Sequence, residues 1–343
     1  MPTPSGRRAS ALSLLGALLL ASGTAGEAPP AVPDASEIRF VLEWGKKGKR
    51  PGEFHFPIGI AINRADEVLV TDHYNNRVQK FDANGKLLAT FPVLPNPGGI
   101  AVGKGGELYV SHFPAARLGK EKTPDRISVY SPAGKLLRQW GSSGTGDGQL
   151  SWPGGLAVSR AGRVYVADQT NRRVQVFDAG GKFLAKWGEY GTKPGQFGGN
   201  VGPRSRVGGP QFVALDSAGN VYTTEGSVGR VQKFTPDGKF LLAWGDNQDK
   251  PGSFGGGFGG FKASLQGPIG ICIDKKDRVW VSAVCGRVQQ FTRDGKYLRG
   301  FGATQGTRPG QFLAPHGLAL DSRGNLYVVD AYNHRVQKFA VPR

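Results

Sequence analysis

Long apolar runs are missing from this chain once its N-terminal segment is passed. After residue 26 no stretch approaches the roughly 20 apolar residues that a membrane-spanning helix needs. Helix-type periodicity is also scarce, which argues against a bundle or a doubly wound α/β sheet. Cysteine is limited to Cys272 and Cys285, too few for a disulfide framework. Histidine occurs five times, at 55, 73, 112, 316 and 334, so any metal chemistry must draw on a short list. No Ser-His-Asp constellation has motif support, and no phosphate-cradling loop is present. Acid is deficient: 26 Asp and Glu face 44 Lys and Arg, a formal net charge of +18.

What the chain does have is Gly (54) and Pro (23) at spaced positions, separating short runs of Val, Ile, Phe and Tyr. That pattern predicts turns between strands and an all-β fold. Residues 1–26 stand apart. Arg7 and Arg8 precede the apolar run "ALSLLGALLLA" (11–21), and small residues follow, as in an export signal. The expected organisation is a signal peptide over 1–26, a linker over 27–37 and one domain over 38–343. Loss of 1–26 removes two arginines and no acid, taking the charge from +18 to +16. An exported, basic, monomeric protein, periplasmic or extracellular, is then expected to meet a protein, a peptide or an anionic envelope polymer. Nucleic acid suits the charge but not that compartment.

Cores of the form Arg, hydrophobic, Gln or Ser begin at Arg77, Arg126, Arg173, Arg230, Arg287 and Arg335, at spacings of 49, 47, 57, 57 and 48 residues. A fixed period of this size marks a repeat architecture. The third copy shows its parts: "PGGLAVS" (153–159), "RVYVADQ" (163–169), "RRVQVFD" (172–178) and "KFLAKWG" (182–188). Turns such as "ANGK", "AGGK" and "PDGK" supply the positive φ of tight hairpins, so each repeat is a four-stranded meander. The first strand alternates small and large residues with no polar side: Gly59 and Ala61 lie among Ile58, Ile60 and Ile62. Both faces must be buried, and sheets of this kind stack on copies of themselves.

The sixth repeat lacks a fourth strand, while an orphan strand, "IRFVLEWG" (38–45), precedes the first. Pairing of 38–45 with 335–341 closes a ring, predicting a six-bladed β-propeller. In this register Cys272 takes the alanine position of an inner strand, buried near the bottom turn, and Cys285 lies in a top connection. That separation exceeds the disulfide limit of about 7 Å, so two free thiols are expected.

The linkers "GTKPGQF" (191–197) and "GTRPGQFLAPHGLALDSRGNLYVVDAYNHRVQKF" (306–339) resemble the NHL repeat, and the resemblance runs over nearly all of 38–340. The long connections 188–209 and 245–267 lie on one face, here called the top. They place Phe197, Arg204, Arg206, Phe261 and Lys262 as candidate ligand-binding residues on a binding platform. Asp72, Asp168 and Asp330 are expected to pair with the arginines that follow them. Arg230 and Arg287 lack that Asp and are expected to be free for a ligand. Lys86, Lys135, Lys182, Lys239 and Lys296 sit beside the bottom turns as solvating charges.

A more distant resemblance, to peptidyl-α-hydroxyglycine α-amidating lyases, gives the alternative. It implies zinc held by three "Pro-His" histidines on alternating blades, and a catalytic tyrosine after a second strand. Pro315-His316 matches one ligand position, and Tyr74 and Tyr332 lie near the tyrosine position. Gly98 and Gln211 replace the other two ligands. His55 lies at the mouth of an adjacent blade, giving His316 and His55 as the candidate metal pair.

Overall fold

Each turn between a third and a fourth strand is built by one capping side chain. Asp82 Oδ1 accepts the amides of Asn84 and Lys86, and Gly85 takes φ +79°. Asp178 repeats this with Gly180 and Lys182. Ser131, Thr235 and Thr292 cap the equivalent turns through their hydroxyls. With those turns made, the strands fall into antiparallel pairs.

The computed structural model describes residues 37–114, 125–199, 202, 208–255, 267–302 and 305–342. A lone strand, β1 (Arg39–Trp44), comes first. Blade 1 comprises β2 (Pro57–Ile62), β3 (Val68–Asp72), β4 (Arg77–Phe81) and β5 (Leu87–Pro92). Blade 2 comprises β6 (Pro97–Val102), β7 (Leu108–His112), β8 (Arg126–Tyr130) and β9 (Leu136–Trp140). Blade 3 comprises β10 (Pro153–Val158), β11 (Val164–Asp168), β12 (Arg173–Phe177) and β13 (Phe183–Trp187). A short parallel pair, β14 (Tyr190–Gly191) and β15 (Phe197–Gly198), follows. Blade 4 comprises β16 (Val213–Leu215), β17 (Val221–Glu225), β18 (Arg230–Phe234) and β19 (Phe240–Trp244). Blade 5 comprises β20 (Pro268–Ile273), β21 (Val279–Ala283), β22 (Arg287–Phe291) and β23 (Tyr297–Phe301). Blade 6 comprises β24 (Pro315–Leu320), β25 (Leu326–Asp330), β26 (Arg335–Ala340) and β1, whose register runs from Arg39↔Ala340 to Trp44↔Val336.

The ring closes as expected, with β2 packed between β6 and β24. Six sheets thus surround a central cavity of about 280 Å³, lined by the inner strands. Each blade interface is its own core. Between blades 6 and 1, Phe54, Ile60, Val70 and Phe81 meet Ala319, Tyr327, Val329 and Val336. The small residues of the inner strands are sterically required, since a Cβ at Gly59 would sit 2.5 Å from the Gly98 carbonyl oxygen of the next blade.

A second device joins blades at the outer rim. Trp44 lies over the hairpin glycine of the following blade, where a Cβ at Gly85 would come 2.9 Å from its indole, and packs on Phe81 at 5.6 Å. Trp140, Trp187 and Trp244 do the same over Gly181, Gly238 and Gly295. The orphan strand β1 therefore supplies both the fourth strand of blade 6 and the clasp onto blade 1.

The linkers on the top face are more ordered than their glycine content suggests. Phe54, Leu150, Phe197, Phe254 and Phe312 turn inward from them and are fully buried. Phe197 is thus a core residue, not a ligand contact, because its linker folds back to bury it against Phe234. Both cysteines are free thiols. Cys285 is buried, whereas Cys272 is only half-buried, because its alanine-like position lines the central cavity.

Deleting residues 38–45 should unpair β26, strip the blade 6–blade 1 clasp and leave an aggregation-prone edge. Size-exclusion chromatography and thermal melting should show loss of the monodisperse folded species. A truncated chain that melts with the intact one would refute closure by β1.

Candidate functional site

The repeated arginines are structural. Arg77 Nε donates to Asp72 Oδ2 at 2.7 Å, and its Nη atoms donate to the carbonyls of Lys49, Arg50 and Glu53 in the preceding linker. Asp72 also accepts from the Asn75 and Gln79 side chains and, through Oδ1, from the His55 amide. Blades 3 and 6 repeat the set with Asp168, Asn171, Arg173 and Gln175, and with Asp330, Asn333, Arg335 and Gln337. All three carboxylates are fully buried.

Two arginines expected to be free are not. Arg230 Nε donates to Glu225 Oε2 at 2.7 Å, because Glu occupies the Asp position of blade 4. Its Nη atoms take the carbonyls of Thr192 and Gln196. Arg287 faces Ala283 across the turn, so its carboxylate comes from Asp249 in the linker, with Lys250 O a further acceptor at 3.0 Å. Glu225 was legible from its position in "YTTEG"; the Asp249 contact needed the tertiary fold. Arg204, Arg206, Phe261 and Lys262 lie outside the described residues.

A different cluster occupies the top mouth of the central cavity. The residue before the first-strand proline adopts a left-handed conformation in blades 1, 2, 3 and 6: Phe56 (φ 63°), Asn96 (φ 54°), Trp152 (φ 56°) and Ala314 (φ 52°). Such backbone costs a bulky residue on the order of 1–3 kcal/mol and persists only where neighbours hold it. Here the preceding blade does so. Phe56 N donates to His334 Nδ1, Asn96 N to Asn76 Oδ1 and Trp152 N to Asp125 Oδ1.

Those turns set an aromatic crescent around the mouth. The Phe56 ring lies 5.0 Å from Tyr332, 5.5 Å from His316, 5.7 Å from Tyr74 and 6.1 Å from His73. His73 passes the contact to Phe113 at 5.7 Å, and Phe113 to Trp152 at 5.6 Å. His55 packs on Tyr74 and His334. Blades 6, 1, 2 and 3 thus present contiguous rings. In blade 5 the corresponding pre-proline residue is Gly267 (φ 104°).

Burial disfavours the charged form of the His73, His112 and His316 imidazoles. His73 Nδ1 donates to Pro97 O and His316 Nδ1 to Ala314 O. Burial lowers both from 6.5 to about 4. His112, at the Asp position of blade 2, is lowered to about 4 for the same reason. Of the candidate metal pair, His316 packs on Phe56 and His55 on Tyr74. Among the described residues no cluster of three or more His, Cys, Asp or Glu could hold a metal. At the other two ligand positions Gly98 has no side chain to offer, and Gln211 is tied by its backbone to Gly155 and Thr224. These residues do not fit zinc. Tyr74 and Tyr332 belong instead to the crescent.

Fold and mouth together define a six-bladed propeller with a ring-lined top opening. The NHL repeat family model matches residues 54–81, 150–177 and 312–339, within blades 1, 3 and 6, where the Asp-Asn-Arg set is complete. The chain is a six-bladed propeller that carries three NHL repeats. Among curated relatives, human E3 ubiquitin-protein ligase TRIM32 is 24% identical over 334 residues, 91% of this chain and 46% of that protein. Drosophila melanogaster Protein brain tumor is 27% identical over 150 residues, 40% of this chain and 13% of that protein. The chain spans less than half the length of either. A protein of unknown function from Bacteroides thetaiotaomicron has a TM-score of 0.64 at 18% identity, covering 88% of this chain and 75% of that one. Virginiamycin B lyase from Staphylococcus aureus has a TM-score of 0.56 at 15% identity, covering 89% and 100%. Likeness at these identities concerns the fold alone.

Asp168→Ala should leave Arg173 buried without its carboxylate and cost about 3–5 kcal/mol. Asp249→Asn, at a carboxylate 68% exposed, should cost about 1 kcal/mol or less. Urea denaturation of the two variants checks the contrast, and equal costs would contradict it. A pH series checks the imidazoles. The unfolded chain protonates His73 and His112 near pH 6.5, while the folded chain resists until about 4. Stability should therefore be full above pH 6.5 and fall as pH drops towards 4. The double variant His73→Gln/His112→Gln should show a shallower fall.

Proposed function

We propose that this propeller is a binding platform whose top mouth receives a protein or peptide ligand. The observation that carries the proposal is the aromatic crescent built on strained backbone. Folding alone does not demand Phe or Trp at a position where glycine would relieve strain, and blade 5 uses glycine there. Backbone strain concentrated at an opening supports a site of recognition. Neutral imidazoles and half-exposed rings favour apolar and planar groups, with main-chain amides as polar partners. Lys47 and Lys49 on the neighbouring linker are exposed and add an attraction for acidic segments. The N-terminal arginine pair and apolar run support export, placing the ligand outside the cytoplasm.

Phe56→Gly/Trp152→Gly removes two rings and relieves two left-handed positions together. Pull-down from an envelope fraction should lose the captured ligand, while the melting temperature moves by only about 5 °C, the compensation expected when strain relief offsets lost contacts. Retained capture by this variant, with loss on shortening residues 198–208 and 255–265, would move the site from the mouth to the loops.

A further inference from the structure

The face opposite the mouth carries a pattern that ligand binding does not use. Each outermost strand is entered there through a base, on the turn residue before the strand or, in β1, on its first residue, and an aliphatic residue stands two positions on, at the β-bulge where the register of that strand shifts. The pairs are Lys86 and Leu88, Lys135 and Leu137, Lys182 and Leu184, Lys239 and Leu241, Lys296 and Leu298, and, on β1, Arg39 and Val41. Leu88, Leu137, Leu184, Leu241 and Val41 are 42–47% exposed, high for large apolar side chains. All six bases are exposed.

A second, inner ring lies at the turns between first and second strands. Arg64, Lys104, Arg160, Lys276 and Arg323 are exposed there, in every blade but the fourth. None of these eleven bases enters an ion pair among the described residues. The acids of the same face are largely engaged elsewhere. Asp66 holds Ser322, Asp277 holds Ser217, Asp274 holds Arg278, and Asp216 and Asp321 face Lys233 and Lys338. Asp82 and Asp178 cap their turns.

We infer that this bottom face docks on an anionic lipid bilayer and so holds the top mouth away from it. The geometry favours a planar anionic surface over a rod-like polyanion, because the bases form two concentric rings, not a stripe. The aliphatic neighbours point the same way: beside each outer base they gain from contact with acyl chains at an interface and gain nothing from phosphodiester backbone. The polypeptide also enters the propeller at Arg39 and leaves it at Ala340 on this face, since these two residues pair at the bottom of β1 and β26.

The test is flotation of the full chain with vesicles of phosphatidylcholine alone or mixed with phosphatidylglycerol. Binding should be stronger to the anionic vesicles and should fall as salt rises. Replacing Lys86, Lys135, Lys182, Lys239 and Lys296 by Gln should weaken anionic-vesicle binding at least about tenfold, given the contribution of each base near an anionic leaflet. Replacing Lys46, Lys47, Lys49 and Arg50 of the top face by Gln should leave it nearly unchanged. Replacing Leu88, Leu137, Leu184 and Leu241 by Ser should weaken vesicle binding while sparing binding to heparin. Circular dichroism and thermal melting confirm that each variant is folded. Equal binding to neutral and anionic vesicles would overturn the inference, as would equal loss from the top-face set. Indifference of vesicle binding to the leucine set would overturn the bilayer in favour of a soluble polyanion.

Discussion

The architecture depends on one buried carboxylate and the arginine five residues beyond it. In blades 1, 3, 4 and 6 this pair joins three pieces of chain: the end of the second strand, the start of the third and the linker arriving from the previous blade. Arginine suits the task because its planar fork reaches a carboxylate through Nε while its two Nη groups satisfy linker carbonyls. Those carbonyls would otherwise be buried without partners. The glutamine two residues further on completes the clamp, accepting from one linker amide and donating to a linker carbonyl, as Gln79 does with Gly52 and Glu53. Blade 2 shows the converse. Only residues 93–96 precede it, so there is no linker to clamp. Its carboxylate is replaced by His112 and its glutamine by Ser128, and Arg126 turns away to Gln139.

Around the central cavity the blades are tied by hydroxyls. Thr71 Oγ1 donates to Gly98 O, Ser111 Oγ to Gly154 O, Thr224 Oγ1 to Ile269 O and Ser282 Oγ to His316 O, each in the next blade. These groups sit among apolar side chains, where an unmet polar atom would be costly, so each bond aligns one inner strand on the next. The left-handed residues at the mouth extend this tie outward, since their amides are held by the preceding blade. The mouth is thus pre-formed by the same contacts that close the ring, which lowers the ordering cost of binding there.

The two faces use the repeat differently. On the top, repeats diverge: Phe, Asn, Trp, Gly and Ala occupy one equivalent position, and the linkers vary in length. On the bottom, they converge on a base and an aliphatic residue in every outermost strand. Divergence suits a ligand of particular shape. Convergence suits a surface without one, because a uniform ring meets a plane equally at every blade. The bases also keep the exposed outer edges from pairing with other chains.

Residue order alone determined the period, the four strands per blade, the hairpin turns, the ring closure and the Asp–Arg pairs, because these follow from local chemistry and alternation repeated many times. It also placed the basic residues beside the bottom turns. Only the tertiary structure decided what met across blades. Asp249 could serve Arg287 because a linker brings it there. Phe197 became core because its linker folds back. Part of the mouth cluster was legible, since Tyr74, Tyr332, His55 and His316 fall at recognisable positions of the repeat, but its other rings were not: Phe56, Phe113 and Trp152 share no motif and are far apart in the chain. They meet because closing the ring brings blade 6 against blade 1, and because a backbone conformation held from the neighbouring blade aims Phe56 and Trp152 at one opening.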